Sequence, residues 1–162
     1  VVSTAEIIGK IKAAADARVN PNFKIMIRTD ARTVLGLDEA IDRARQGFEA
    51  GADLAFVEAP QSVEELQFIA QKLKGIPLMA NMVERGKTPL FSNSDLEAMG
   101  YKMVVYPLTA LYASAAAMLK VMRELKDKGS TQGLLGDIVT FEEFNQLVGL
   151  QELIGLENKY AR

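Results

Sequence analysis

At 162 residues, 49% of them hydrophobic and 25% charged, the chain is long enough for one domain with a substantial core. Nineteen basic against 21 acidic residues leave a net charge of −2, which offers no electrostatic footprint for nucleic acid or an anionic membrane. Cysteine and histidine are both absent, which excludes cysteine–histidine catalysis and the usual zinc sites. With no continuous apolar leader either, the expectation is a cytoplasmic protein.

The first predicted element is a helix. Ser3 and Glu6 have the spacing of a capping box, Ile7, Ile8, Ile11, Ala14 and Ala15 recur at helical spacing, and Asn20-Pro21-Asn22 ends the run. "KIMIRTD" then reads as a short buried strand. A second helix is predicted over Asp38 to Ala50, with Gly51 as its stop. "DLAFVEAP" is again apolar and too short for a helix. Ser62 and Glu65 form a second candidate box, opening a helix that runs to Gly75.

"IPLMAN" (Ile76 to Asn81) is the third predicted strand. The polar loop "MVERGKTPLFSNS", a short helix over Asp95 to Met99 and the strand "KMVVYPL" follow. A long helix is predicted over Thr109 to Lys128, and Lys120 and Arg123 interrupt it too early for a membrane span. Its stripe of Leu111, Ala115, Met118, Met122 and Leu125 suits a core or an interface. The tail opens on Thr140 and Glu143, a third box, and continues as two short amphipathic helices meeting at Gly149.

Strand and helix thus alternate four times, the rhythm of right-handed βαβ units around a parallel sheet buried on both faces. In such sheets ligands lie at the carboxyl ends of the strands. Arg28 and Asp30 end the first predicted strand, Glu58 the second and Asn81 the third. A cation, a carboxylate and an amide converging there suit a small anionic substrate, with or without a metal. Blander readings stand beside this one. Arg28 and Asp30 also fit a structural ion pair, Glu58 also fits a helix cap, and Asn81 also fits a turn. Gly86 and Lys87 in "ERGKTP" have the wrong spacing for a phosphate loop, and Glu142 and Glu143 fit a solvated tail helix.

"IMIRTDAR", "EAGADLAFVEAP", "IPLMANMVERGKTP" and "VVYPLTALYA", in this order, closely resemble the isocitrate lyase and phosphoenolpyruvate mutase superfamily. The resemblance runs through nearly the whole chain, "TFEEFNQLVGL" included. It implies a Mg²⁺-dependent (or Mn²⁺-dependent) lyase acting on a small 2-hydroxy dicarboxylic acid through an enolate-like intermediate. A phosphonomutase that works on a P–C bond is the alternative within the superfamily. Arg28 in "RTDA" matches the position that grips a substrate carboxylate. Glu58 in "VEAP" matches a glutamate that reaches the metal through water, and Asn81 in "MANMVE" matches a substrate-binding asparagine.

The resemblance also implies an α/β fold in which this chain is the C-terminal half, strands 5 to 8, of a (β/α)₈ TIM barrel plus two C-terminal helices. On that basis residues 1–136 are expected to be barrel, and residues 137–162 a helical tail exchanged between subunits of a homo-oligomer, a tetramer by family precedent. The partner it lacks is the N-terminal half, with the aspartates that ligate the metal and a cysteine acid, so the chain alone is expected to be inactive. Tyr112 and Phe141 stand where the tricarboxylate-cleaving branch carries arginines, which favours a dicarboxylate. A non-catalytic half-barrel is the competing expectation.

Overall fold

The computed structural model describes residues 1–161 and divides the chain into two compact units, Val1–Leu111 and Tyr112–Arg162. In the first unit α1 (Thr4–Ala17) is followed by β1 (Met26–Thr29), α2 (Ala31–Leu35) and α3 (Leu37–Glu49). Then come β2 (Leu54–Val57), α4 (Val63–Lys72), β3 (Met79–Asn81), α5 (Asn93–Met99) and β4 (Met103–Val105). α6 (Thr109–Lys128) begins in this unit and continues into the second. There a 3₁₀ turn (Gln132–Leu134), α7 (Phe141–Leu147) and α8 (Leu150–Tyr160) follow.

All strand pairs are parallel. Arg28 lies opposite Phe56 in the β1–β2 pair, and Asn81 lies opposite Val105 in the β3–β4 pair. One bridge, Ala55 with Leu78, joins the two pairs, so spatial order follows chain order from β1 to β4. A doubly wound sheet reverses its strand order part-way; these four strands do not.

The strands alternate sharply between their two faces. Ile25, Ile27 and Thr29 in and beside β1 are buried, as are Ala55 and Val57 in β2 and Leu78, Ala80 and Met82 around β3. Their apolar members join Ala40, Ile41 and Ala44 of α3, Leu66 and Ile69 of α4, and Leu96 of α5 in one core. Gly47 lets α3 close onto β1, because a Cβ there would stand 2.1 Å from Ile27 Cδ1 and 3.0 Å from its Cβ. Tyr101 caps the far side of this core. Its hydroxyl donates to the Leu66 carbonyl at 3.2 Å, and burial pushes the phenol well above its ordinary range.

The opposite face carries Met26, Arg28, Phe56, Met79, Asn81 and Met103. Phe56 and Met79 are buried, but Met26 and Met103 are 36% and 47% exposed, so this face is only partly covered. The expectation of a sheet buried on both faces does not hold at Met26 and Met103. No helix among the described residues is long and apolar enough to cross a membrane.

The bounds of α6 coincide with those predicted, and in the second unit α7 opens with the Thr140–Glu143 box fully formed. The boxes predicted at Ser3 and Ser62 are half formed, since each serine accepts from the expected backbone N–H and the glutamates turn elsewhere. Glu6 pairs with Lys10, and Glu65 with Arg32. A complete box that the glutamate pattern overlooks stands at Ser92 and Asp95.

Candidate active site

β1 delivers Arg28 to the partly covered face, one residue before its carboxyl end. The guanidinium lies over the Phe56 ring of the neighbouring strand, 5.2 Å from the centroid. Its Nε donates to Asp30 Oδ2 at 3.1 Å and its Nη2 to Asp30 Oδ1 at 2.9 Å, while the same Nη2 stands 3.3 Å from Glu58 Oε2. Asp30 first, and Glu58 after it, hold the guanidinium more firmly protonated than an isolated arginine. Arg28 and Asp30 remain about half exposed, with 53% and 50% of their side-chain surface accessible, so water screens the pair.

Glu58 leaves β2 with its N–H donated to the Thr29 carbonyl at 3.0 Å, which continues the β1–β2 pairing into the site. The next residue, Ala59, has φ +57° and precedes Pro60. A left-handed L-residue costs about 1–2 kcal/mol and is sparsely populated except where surrounding structure enforces it. The strained turn fixes where the Glu58 carboxylate points. Its Oε2 is buried and has no hydrogen-bond donor, the Arg28 contact being a close approach rather than an aligned bond.

Asn81 ends β3, and the following Met82 N–H still reaches the Val105 carbonyl at 2.9 Å. The Asn81 Oδ1 is also buried without a donor. Three residues on, Glu84 accepts a hydrogen bond from the hydroxyl of Thr109, the first residue of α6, and this bond holds its carboxyl below the usual range. The other Glu84 oxygen, Oε2, is a third buried acceptor with no partner. Sequence reading passed over Glu84. Its signal was the placement of "MVERGKTP" directly after a strand's carboxyl end.

Arg28, Asp30, Glu58, Ala59, Asn81 and Lys87 line one cleft of about 350 Å³, and Glu84 is not among its lining residues. The expected trio of Arg28, Glu58 and Asn81 is therefore brought together. Lys87 joins it from the β3–α5 loop as an ordinary cation, with none of the geometry of a phosphate loop. Glu142 and Glu143 belong to the second unit, where Glu143 closes the cap of α7. A larger hollow of about 650 Å³ lies between α4 and α5 around Gly75 and Gly100, but it lacks a comparable convergence of charge.

Buried oxygens without donors cost free energy unless something satisfies them. Their oxygen-only chemistry suits a hard dication approached through water, or a hydrogen-bonding ligand. Among the described residues no group of three or more acidic, histidine or cysteine side chains could hold a metal directly.

Residues 1–126 match the family model described as phosphoenolpyruvate phosphomutase. The chain is 48% identical over 161 residues to 2,3-dimethylmalate lyase of Eubacterium barkeri, covering 99% of this chain and 55% of that protein. It is 44% identical over 160 residues to the petal death protein of Dianthus caryophyllus, covering 99% and 50% respectively. Among solved structures, oxaloacetate acetylhydrolase with its product oxalate superposes with a TM-score of 0.92 at 30% identity, over 100% of this chain and 56% of that one. A phosphonopyruvate hydrolase bound to oxalate and Mg²⁺ gives 0.87 at 25% identity, over 100% and 58%. The chain spans about half the length of the curated relatives it matches.

Proposed function

The chain belongs to the phosphoenolpyruvate phosphomutase family of lyases and mutases, and from that premise we propose that it carries the carboxylate-binding half of a C–C lyase. The convergence of Arg28, Glu58 and Asn81 in one cleft, with the Arg28 fork as the donor to a carboxylate, supports this reading most directly. The substrate class is a small 2-hydroxy dicarboxylic acid, and the product a 2-oxo acid. The strictly sequential parallel strands fit strands 5 to 8 of a (β/α)₈ barrel, with residues 1–136 as barrel and 137–162 as a helical tail that neighbouring subunits exchange.

The roles follow from the side chains. Arg28 presents a planar, permanently charged fork to a substrate carboxylate and stabilises negative charge developing beside it. Asn81 adds direction without charge, its amide NH₂ being the group that can donate to an anion. In the proposed cleavage the substrate's 2-hydroxyl loses its proton and the C–C bond breaks. The electron pair is left on an enolate, which is then protonated. The base and the acid for these steps belong to the barrel's other half. A Mg²⁺ or Mn²⁺ bound mainly by that half would neutralise charge on substrate oxygens, with Glu58 holding one of its waters.

A phosphonomutase would use the same cleft for a phosphoryl group, and the carboxylate gripped by Arg28 would serve both reactions. The decisive assay joins this chain to the upstream half of 2,3-dimethylmalate lyase and measures release of a 2-oxo acid with Mg²⁺. The chimera should turn over and the 162-residue chain alone should be inert. Arg28→Lys in the chimera should lower kcat/KM on the order of a hundredfold, because an ammonium cannot replace the fork. Activity of the isolated chain, or an Arg28→Lys chimera with undiminished kcat/KM, would sink the assignment.

A further inference from the structure

Arg28 does not stand open in its cleft. Its Nε and Nη2 edge, the side-on face that best fits a carboxylate, is already taken by Asp30 through bonds of 3.1 and 2.9 Å. Glu58 Oε2 crowds the same Nη2 at 3.3 Å, so one cation faces two carboxylates. Phe56 backs the guanidinium plane and fixes its tilt.

The behaviour of Asp30 is unusual for its place in the chain. It stands at the N-cap of α2, where aspartate ordinarily accepts from a backbone N–H of the first turn. Here its side chain makes no such bond, and the Thr29 hydroxyl accepts from the Ala31 N–H at 3.3 Å instead. The carboxylate has been drawn from a local capping role to the arginine, yet it stays half exposed and can turn into water.

Given the carboxylate-binding role proposed for Arg28, we infer that Asp30 is a resident substitute for the substrate carboxylate and sets the affinity of the fork by competing for it. A ligand carboxylate enters by exchange, displacing Asp30 into solvent. For a monocarboxylate the exchange is like for like and gains little. A dicarboxylate gains a second anchor on Asn81 or Lys87, which line the same cleft. Asp30 thereby lowers the affinity of every carboxylate by the same factor, without touching the bound ligand, and the second anchor is what lifts a dicarboxylate above that threshold.

The test titrates the 162-residue chain with sodium oxalate and with sodium acetate, following the Arg28 Nε–H resonance in ¹⁵N-labelled protein. Asp30→Asn and Asp30→Ser remove the competing charge, and serine retains a capping acceptor if α2 needs one. Circular dichroism confirms that each variant is folded. Both variants should bind oxalate about fivefold more tightly, the modest factor expected of a half-exposed ion pair. Acetate binding should tighten by the same factor, because displacement of Asp30 costs both ligands alike. Unchanged or weakened oxalate binding in folded variants overturns the competition and leaves Asp30 as a buttress. If Arg28→Ala binds oxalate as well as the parent does, or if parent and variants all fail to bind it, the carboxylate site itself falls.

Discussion

The two units handle the same kinds of side chain in opposite ways. In residues 1–111 the apolar positions of strands and helices converge on one core, and Ile27, Leu66, Ile69, Leu78, Met82 and Leu96 lose almost all their accessible surface. Beyond residue 111, among the described residues, Leu134 alone is a buried hydrophobic. Leu119, Met122, Phe141, Leu147, Leu153 and Leu156 are each more than half exposed. Amphipathic periodicity is present in both units, and burial in one. Periodicity specifies which face of a helix seeks cover but not what provides it. The first unit is held by tertiary packing, whereas α7 and α8 depend more on local devices such as the Thr140 cap and the left-handed turn at Gly149.

Truncating one leucine in each unit is the strongest way to break this contrast. Leu66→Ala should cost about 3 kcal/mol in urea unfolding, because it empties a packed site. Leu119→Ala, at a residue 55% exposed, should stay within about 0.5 kcal/mol. Equal losses would mean that α6 is covered in solution. A smaller effect comes from Thr140→Ala, which removes the hydroxyl that accepts from the Glu143 N–H at 3.1 Å. It should cost about 1 kcal/mol of helix stability. The loss should be visible as reduced helicity with the urea midpoint of the first unit unchanged.

The smallest effect is electrostatic. The Arg32 guanidinium holds the Glu65 carboxyl below its usual range, across side chains only 19% and 22% exposed. A carboxyl depressed in the folded state contributes stability that is present above its unfolded pKa and lost as pH falls through the folded value. The first unit should therefore weaken in acid below about pH 4, and Glu65→Gln should flatten that slope in urea titrations at several pH values. Asp53 acts in the same sense, its carboxyl lowered by the Ile25 N–H and by Arg18. An unaltered slope in the Gln variant would assign the acid sensitivity to the unit's other lowered carboxyls, Glu39, Asp53, Glu64 and Glu84.

Much of this architecture was legible beforehand because it is periodic. Four strand–helix alternations were readable, and α6 was placed to the residue. What escaped was decided by tertiary competition. Glu65 has the spacing of a capping-box glutamate, yet Arg32, 33 residues away, takes its carboxylate. α2 was missed because "ARTVL" is only five residues long and stops at Gly36, too short for a period to register. At the site, Arg28, Glu58 and Asn81 could be proposed because each ends a strand. Glu84 could not, since its importance lies in a bond to Thr109, 25 residues away, and in an oxygen left without a donor. Strand ends are local facts, whereas unsatisfied atoms belong to the folded whole.

The bridge between Ala55 and Leu78 has a mechanical consequence. Arg28 and Glu58 belong to one strand pair and Asn81 to the other, and a single paired residue joins the pairs. The cleft therefore straddles a seam in the sheet, with stiff ladders on either side and little backbone bonding across it. Distances within a pair are set by register, whereas the span from Arg28 to Asn81 crosses the seam and has no ladder of its own.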